Sequence, residues 1–320
     1  MPELTTIRIG ARGSRLSLRQ VDLVANLLRA AHPGLSLEVV PITTKGDRVL
    51  DTPLPLIGGK GLFTEEIESA LLSGRIDLAV HSLKDLPTTD TEGIVIGAIP
   101  RRASAADVLV ANDGVRLADL PPGARIGTSS PRRATQLVRY RSDLQPVPIR
   151  GNVETRLHKG GKADDYHAIV LAAAGIDRLG LTLDAPEVLP FDIMLPAPGQ
   201  GALAIQCRSD GPMERLVGAI NDWPSALAVT AERAFLDALG GGCATPIAAL
   251  GVVSDGEVRL AGRVLSPDGR RWVDVGLTSA CMNLDQARAL GSQLAELAIA
   301  QGADGFLERP ACLPSWAAAS

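Results

Sequence analysis

Residues 79–87 (Ala-Val-His-Ser-Leu-Lys-Asp-Leu-Pro) place charged side chains directly after an apolar strand. The run over residues 76–80 predicts that strand, and Pro87 disfavours continued regular structure. Ligands bind at the carboxyl ends of strands in α/β sheets, so Lys84 could anchor an anion and Asp85 could face a reacting cation. A surface turn with a solvated ion pair is the alternative, and these residues alone leave both open.

Two segments read Arg-Ile-Gly, then a short turn with Ser and Arg, then a predicted helix. Ser14 and Ser130 stand at the N-cap positions of these helices, where free N–H groups and the helix dipole favour anions. Guanidinium groups suited to carboxylates or phosphates accompany them, at Arg12, Arg132, Arg133, Arg150, Arg156 and Arg178. The sequence therefore predicts a site for a ligand with many anionic groups.

Two glycine-rich segments carry a further candidate each. Cys243 follows three glycines, so its sulfur could project from a flexible turn, although a lone cysteine is more often a small buried hydrophobic residue. Lys60 lies in Gly58-Gly59-Lys60-Gly61, which lacks the spacing of a phosphate-binding loop. We interpret residues 46–61 as a long mobile loop in which Lys60 could close over an anionic ligand.

Apolar periodicity alternates between strands and helices in the first two thirds of the chain, which predicts mostly parallel α/β sheets. Strands are predicted over residues 6–10, 35–42, 76–80, 94–99, 169–173 and 202–207, and helices over residues 16–31 and 63–72. From residue 224 the pattern changes to a helix over 227–239, strands around a turn at 266–269, and a helix over 284–300. This part is predicted to be a separate α+β domain.

Composition narrows the class of protein. The 320 residues are 46% hydrophobic and 21% charged, which is typical of two or three globular domains. A net charge of −4 and 3% aromatic residues disfavour a nucleic-acid surface. The first thirty residues lack an apolar signal core, and no apolar run approaches the roughly 20 residues of a membrane span, so we expect a cytoplasmic protein. Four scattered cysteines and four histidines predict neither disulfides nor a metal site.

Together these segments resemble the hydroxymethylbilane synthase family, also called the porphobilinogen deaminase family. The resemblance follows the family's order and spacing from residue 7 to about residue 250. It is carried by Arg12-x-Ser14-x-Leu16, Thr44-Lys45-Gly46-Asp47, Gly59-Lys60-Gly61-Leu62-Phe63, His81-Ser82-Leu83-Lys84-Asp85-Leu86-Pro87, Gly127-Thr128-Ser129-Ser130, Arg150-Gly151-Asn152-Val153, Gly199-Gln200-Gly201-Ala202 and Gly241-Gly242-Cys243.

The resemblance implies a transferase of tetrapyrrole and heme biosynthesis. The family joins four porphobilinogen molecules head to tail, releases ammonia, and frees linear hydroxymethylbilane. Its primer is a dipyrromethane cofactor held by a thioether to one cysteine, which by position is Cys243. By position the catalytic carboxylate is Asp85, expected to hold pyrrole N–H groups and to stabilise the cationic azafulvene formed when ammonia leaves.

The resemblance also distributes the remaining site residues. Cofactor binding is expected from Lys84, Ser14, Ser82, Thr128, Ser130, Arg132, Arg133, Arg150 and Arg156. The incoming substrate or moving chain is expected to contact Arg12, Arg156, Arg178 and Gln200, with Asp47 and Lys60 in a lid loop. No metal, membrane or nucleic acid is expected, and the family suggests a monomer. The chain departs from the family's usual residues at Ser17, Ala106, His167 and Gly240.

We expect three domains. Two are periplasmic-binding-protein-like α/β domains, over residues 1–100 with 200–218 and over residues 101–199. The third is a small α+β domain over residues 219–320 that carries Cys243. A non-catalytic binding protein for an anionic ligand and a cysteine hydrolase are the competing interpretations, and the candidate thioether cysteine counts against both.

Overall fold

The computed structural model describes residues 6–48, 64–160, 165–209, 211–242 and 245–307. The chain divides into two compact units, Met1–Ala103 with Ala202–Ala226, and Ser104–Gly201 with Leu227–Ser320. Each unit contains a five-stranded α/β sheet, and a three-stranded sheet follows near the C-terminus. The predicted α/β class with two sheet domains and a small C-terminal sheet is confirmed. In the described ranges, no helix has the length and apolarity that crossing a membrane requires.

The elements follow one another in this chain order. The strands are β1 (Ile7–Arg12), β2 (Leu37–Ile42), β3 (Leu78–Ser82), β4 (Ile94–Ala98), β5 (Asp107–Ala111), β6 (Arg125–Gly127), β7 (Gln145–Val147), β8 (Ala168–Ala172), β9 (Glu187–Val188), β10 (Leu203–Arg208), β11 (Ile247–Ser254), β12 (Glu257–Leu265) and β13 (Trp272–Ala280). The α-helices are α1 (Arg15–Ala31), α2 (Lys45–Arg48), α3 (Glu65–Leu72), α4 (Pro131–Tyr140), α5 (Val153–Gly160), α6 (Ala173–Leu179), α7 (Met213–Gly218), α8 (Trp223–Ala238), α9 (Leu284–Ala300) and α10 (Asp304–Leu307).

The sheet of the first unit has the strand order β2-β1-β3-β10-β4. Strands β2, β1 and β3 are parallel, whereas β10 runs antiparallel to both of its neighbours. Helix α1 buries one face at helical spacing, which includes Val21, Val24 and Leu28, against Ile9 and Leu78 of the sheet. This packing fixes the N-terminus of α1 at the carboxyl end of β1.

The sheet of the second unit repeats this arrangement as β7-β6-β8-β5-β9, with β5 antiparallel to its neighbours. Strands β1 and β6, which carry the two Arg-Ile-Gly segments, hold the same position in the two orders. Glycine recurs at this position because, in each sheet, an isoleucine side chain from a neighbouring segment of the same chain fills the space beside it. A Cβ on Gly10 would collide with the Ile76 side chain, and one on Gly127 would lie 2.9 Å from Ile169.

The C-terminal sheet has the order β11-β12-β13, and all of its pairs are antiparallel. Helices α8 and α9 confirm the two helices predicted in this part of the chain. Phe235 of α8 is fully buried and packs with Leu260 of β12 and Leu294 of α9. This cluster forms a hydrophobic core of its own beside the second α/β sheet.

The structure moves two of the predicted boundaries. The strand predicted over residues 76–80 lies at Leu78–Ser82, because Ser82 and His81 pair with Leu203 and Ala204 of β10. Residues 46–48 lie in helix α2 rather than in a loop. The rest of the predicted loop, with Lys60, lies outside the described residues.

Gly240 ends helix α8 in the left-handed conformation, with φ +64°. Its N–H donates to the Asp237 carbonyl at 2.8 Å, and the Gly241 N–H donates to the Leu236 carbonyl at 2.9 Å. We expect Gly240→Ala to lower the free energy of unfolding by about 1 kcal/mol, because a Cβ disfavours this conformation. Urea unfolding measures the change.

Gly218, the last residue of α7, provides the control for this prediction. Its φ is not in the left-handed range, and a Cβ there meets no described atom within 4 Å. Gly218→Ala should therefore leave the unfolding midpoint unchanged or raise it. Equal losses in the two variants would contradict the account of Gly240.

Candidate active site

A pocket in the first unit collects polar side chains at the carboxyl ends of β1 and β3. Its volume is about 460 Å³ with its open mouth included. The lining comes from the end of β1, the first turns of α1, the start of α3 and the end of β3: Arg12, Ser14, Leu16, Ser17, Gln20, Thr64, Val80, His81, Ser82 and Asp85. Predicted site residues Arg12, Ser14, Ser82 and Asp85 therefore share one pocket.

The N-terminus of α1 forms one wall of this pocket. Ser14 is the N-cap, and its Oγ accepts a hydrogen bond from the Ser17 N–H at 3.3 Å. Arg12 is the last residue of β1, and no acidic side chain occupies the first turn of α1. A guanidinium beside the positive end of a helix dipole suits a ligand carboxylate.

The turn after β3 places Asp85 in the pocket. Leu83–Asp85 forms a short 3-10 helix, held by hydrogen bonds from the Leu83 N–H to the Ala202 carbonyl at 3.0 Å and from the Leu86 N–H to the Leu83 carbonyl at 3.1 Å. Leu83 and Leu86 are buried, whereas Asp85 is exposed. Lys84 is half-buried and is not among the residues that line the pocket.

The hydroxyl of Ser82 is fixed by α1. The Gln20 side-chain amide donates to Ser82 Oγ at 2.8 Å, and Gln20 itself is buried. Gln20 was not predicted as a site residue. The sequence feature that could have indicated it is a polar residue on the apolar face of an amphipathic helix, directly before Val21.

In the second unit, Arg132 and Arg133 at the start of α4 are both buried around one carboxylate. The two oxygens of Asp107 lie 2.8 Å from Arg132 Nη1 and 2.7 Å from Arg133 Nη2. Burial alone would raise the pKa of Asp107, but the two guanidinium groups outweigh it and hold that pKa well below its ordinary value. Arg132 Nη1 also donates to the Leu195 carbonyl at 2.7 Å.

Ser130 and Thr128 organise the backbone in front of these arginines. Ser130 is the N-cap of α4, and its Oγ accepts from the Arg133 N–H at 3.4 Å. Thr128 Oγ1 accepts from the Ser130 N–H at 3.2 Å. The second Arg-Ile-Gly segment thus repeats the capped helix start of the first, as the sequence predicted.

Gln200 and Arg178 are tied to neighbouring backbone. The Gln200 amide donates to the Ala105 carbonyl at 2.8 Å and to Asp107 Oδ1 at 3.0 Å. Arg178 Nη2 donates to the Gly201 carbonyl at 2.7 Å. Burial lowers the pKa of Arg178 to about 10, so its guanidinium stays charged at neutral pH.

Arg156 and Arg150 lie around the start of α5. Arg156 Nε donates to the Gly151 carbonyl at 2.9 Å, and the Arg150 carbonyl accepts from Lys159 Nζ at 3.2 Å. Both arginines are partly exposed. Their side chains therefore lie at the surface of the second unit rather than with the buried pair Arg132 and Arg133.

Two buried carboxylates that support these loops were not predicted. Asp107 is the first residue of the apolar strand β5, and an acidic residue at the start of such a strand is the sequence feature that could have indicated it. Glu232 of α8 is fully buried, and its carboxylate accepts from the N–H groups of Gly199 and Gly251, each at 2.7 Å. Glu232 thus fixes the turn that carries Gln200.

Three predicted positions have no described side chain. Cys243 and Lys60 lie outside the described residues, and of Asp47 only the backbone in α2 is described. Among the described residues, no group of three or more His, Cys, Asp or Glu side chains could hold a metal ion. The two other cysteines with described surroundings, Cys207 and Cys281, are buried and free.

The fold and these loops define an α/β protein with guanidinium, hydroxyl and backbone N–H groups at helix starts that follow its strands, which are donors of the kind that bind anionic ligands. Comparison with known proteins shows which family within this class the chain matches. The family model "Porphobilinogen deaminase, dipyromethane cofactor binding domain" matches residues 7–214, and "Porphobilinogen deaminase, C-terminal domain" matches residues 226–300.

Curated relatives match over nearly the whole chain. Porphobilinogen deaminase of Syntrophotalea carbinolica is 49% identical over 304 residues, which cover 95% of each protein. The Geobacillus kaustophilus enzyme is 48% identical over 96% of this chain and 98% of its own. Among solved structures, the match to an arginine-specific periplasmic binding protein of Salmonella typhimurium covers 69% of this chain and 93% of that protein at 13% identity, with a TM-score of 0.37.

The chain belongs to the porphobilinogen deaminase family, as the sequence motifs predicted. Membership identifies a transferase of porphyrin and heme biosynthesis whose substrate is porphobilinogen and whose cofactor is dipyrromethane. The residues present fit that cofactor, because its acetate and propionate groups can be bound by cationic and hydroxyl donors of the kind that end β1 and begin α1.

Proposed function

We infer that this chain is a hydroxymethylbilane synthase in which Asp85 is the catalytic carboxylate. One observation carries the assignment: Asp85 and Arg12 line the same pocket at the carboxyl ends of two adjacent parallel strands, β3 and β1. A carboxylate and a guanidinium at one pocket suit a substrate that carries both acid side chains and an aminomethyl group.

Asp85 acts where positive charge develops. When ammonia leaves the aminomethyl group of porphobilinogen, the pyrrole becomes cationic, and a carboxylate beside its N–H lowers the energy of that state. Arg12 and the capped start of α1 hold a substrate carboxylate and so orient the ring toward Asp85. Proton delivery by the same carboxyl group is the alternative role for Asp85.

The cofactor is proposed to be attached to Cys243 by a thioether. When bound, dipyrromethane supplies the pyrrole position to which the first substrate is joined. Its carboxylates would be held by Lys84, Ser14, Ser82, Thr128, Ser130, Arg132, Arg133, Arg150 and Arg156. Within the described residues, the buried Nε of Arg132 has no hydrogen-bond partner.

Substrate contacts are proposed for Arg12, Arg156, Arg178 and Gln200, with Asp47 and Lys60 in a lid. Gln200 is fully buried, and its side-chain amide donates hydrogen bonds to the Ala105 carbonyl and to Asp107 Oδ1. Besides its proposed substrate contact, Gln200 therefore helps to place Asp107 and its arginines. Arg178 stays cationic despite its burial, which supports a role in carboxylate binding.

The remaining assignments are also proposals. We propose three domains with the boundaries predicted from the sequence, a cytoplasmic monomer, and no nucleic-acid partner. A net charge of −4 supports the last point. A binding protein without turnover and a cysteine hydrolase are the alternatives. A binding protein would release no ammonia from porphobilinogen. A cysteine hydrolase would have a free Cys243 thiol that a thiol-alkylating reagent modifies in the native protein.

Intact mass tests the cofactor assignment. The purified protein should exceed its encoded mass by one dipyrromethane and react with a pyrrole-detecting aldehyde reagent. Cys243→Ser should show the encoded mass alone, because no thioether can form. Cys312→Ser, which removes another thiol of the same chain, should keep the added mass. Wild-type protein at its encoded mass, or added mass that persists in Cys243→Ser, would contradict attachment at Cys243.

A further inference from the structure

Gln136 is a fully buried residue of helix α4 to which no role has yet been assigned. It lies four residues after Arg132, so the two side chains project from the same face of the helix. A buried amide costs free energy unless its N–H groups and its oxygen are paired. The partners of the Gln136 amide therefore indicate what this side chain does.

The Gln136 amide binds both backbone polar groups of Leu195. Its Nε2 donates to the Leu195 carbonyl at 3.0 Å, and its Oε1 accepts from the Leu195 N–H at 2.9 Å. Nε2 also donates to the Arg132 carbonyl at 3.1 Å, and Oε1 also accepts from Arg263 Nη1 at 3.0 Å. Reversing the amide would set donors against donors and acceptors against acceptors, so this network selects one orientation. In that orientation the amide fixes the direction of the Leu195 carbonyl.

The Leu195 carbonyl is also a partner of the Arg132 guanidinium. Arg132 Nη1 donates to this carbonyl at 2.7 Å and lies 2.8 Å from Asp107 Oδ2. The same nitrogen therefore contacts a peptide oxygen and a carboxylate oxygen. Asp107 supplies the opposite charge, whereas Gln136 fixes the peptide, and together they set the position of the guanidinium.

Arg263 connects this arrangement to the C-terminal sheet. It is a buried residue of β12, and its Nη1 donates to Gln136 Oε1 and to the Asp192 carbonyl, each at 3.0 Å. Its Nη2 donates to Asp274 Oδ2 of β13 at 3.2 Å. The part of the chain that is proposed to carry the cofactor cysteine therefore also supports the Gln136 amide.

We propose that Gln136 is a positioning residue for cofactor binding. It holds the Leu195 carbonyl, and that carbonyl keeps the Arg132 guanidinium where it binds a carboxylate of dipyrromethane. The inference rests on the proposed function, in which Arg132 is a cofactor ligand. Because Gln136 acts through Arg132 and not on a reacting atom, its loss should weaken the binding of pyrrole carboxylates during cofactor assembly more than it slows the chemical steps.

The test follows cofactor assembly on full-length apoprotein from a host that makes no porphobilinogen. The gain in intact mass is timed at a series of porphobilinogen concentrations, which gives a half-saturating concentration and a maximal rate. Gln136→Met keeps the length of the side chain but removes the amide. We expect it to raise the half-saturating concentration about tenfold, which corresponds to the loss of about one hydrogen bond, and to change the maximal rate by no more than about twofold.

A second variant keeps the test decisive if the methionine variant folds poorly. Gln136→Glu retains acceptor oxygens for the Leu195 N–H and for Arg263, whose charge compensates the new carboxylate, but it has no donor for the Leu195 carbonyl. It should unfold near the wild-type temperature and show the same rise in half-saturating concentration. Gln145→Met is the matched control, because Gln145 is an exposed glutamine of β7. It should keep the wild-type value.

The outcomes are distinguishable. A wild-type half-saturating concentration in a folded Gln136 variant would overturn the inference and leave the proposed function intact. A lower maximal rate at an unchanged half-saturating concentration would indicate a purely structural role and would also overturn it. Wild-type apoprotein that gains no mass on incubation with porphobilinogen would instead overturn the proposed function.

Discussion

Replacing Asp85 with asparagine is expected to leave a folded protein that has lost nearly all turnover. The side chain is exposed, so its replacement removes no buried contact. Asparagine keeps the size and one acceptor oxygen but not the negative charge. Since that charge is proposed to face the cation that forms as ammonia leaves, we expect kcat to fall by about 10²- to 10³-fold or more. Porphobilinogen consumption and ammonia release measure the loss.

The control is a nearby aspartate that does not line the pocket. Asp90 is exposed in the loop between β3 and β4. Asp90→Asn should keep wild-type turnover, and both variants should unfold at the wild-type temperature. Substantial activity in Asp85→Asn would remove its proposed role, and equal losses in the two variants would point to a general charge effect.

The turn that carries Asp85 shows how the fold separates two neighbouring charges. Leu83 and Leu86 are buried on either side of the charged pair, which fixes the 3-10 helix on the sheet. Asp85 reaches the pocket, whereas Lys84 is half-buried and does not line it. The two side chains therefore have different surroundings, although they are adjacent in the sequence.

Much of this architecture could be predicted from local sequence. Amphipathic spacing predicted α1, and a serine before each of two helices predicted the N-caps Ser14 and Ser130. The alternation of strands and helices predicted the two α/β sheets. The recurrent Arg-Ile-Gly segments correctly indicated two equivalent strands. All of these features depend on residues within one or two turns of one another.

The surroundings of the arginines could not be predicted in the same way. From the sequence, Arg132 and Arg133 at the start of a helix were expected to bind an anionic ligand, but both are buried against Asp107, the first residue of β5. The insertion of β10 between β3 and β4 likewise depends on pairing between distant segments. Local periodicity contains no information on such partners, so the supporting carboxylates were missed.

Asp107→Asn is expected to be strongly destabilising. Asparagine has nearly the same shape, but it leaves two buried guanidinium groups without their shared anion. Breaking a buried ion pair in this way costs about 3–5 kcal/mol. We therefore expect a drop of that size in the free energy of unfolding by urea, together with poorer cofactor loading by intact mass, since Arg132 and Arg133 lose their anchor.

An exposed pair in the same unit is the matched control. Asp143 lies 2.6 Å from Arg141, but its side chain is 41% exposed. Because water screens that pair, Asp143→Asn should cost only about 0–1 kcal/mol. Similar losses in the two variants would contradict the special role of the buried carboxylate.

The pH dependence of stability gives a second test of Asp107. Its pKa is lowered in the folded protein, so its contribution to stability is present above the unfolded value of about 3.9 and is lost as pH falls through the folded value. Wild-type protein should therefore lose stability below about pH 4 more steeply than Asp107→Asn, which has no such carboxylate to protonate. Because Asp143→Asn retains Asp107, it should follow the wild-type curve closely, and parallel curves for wild type and Asp107→Asn would show that the buried carboxylate does not hold the arginines.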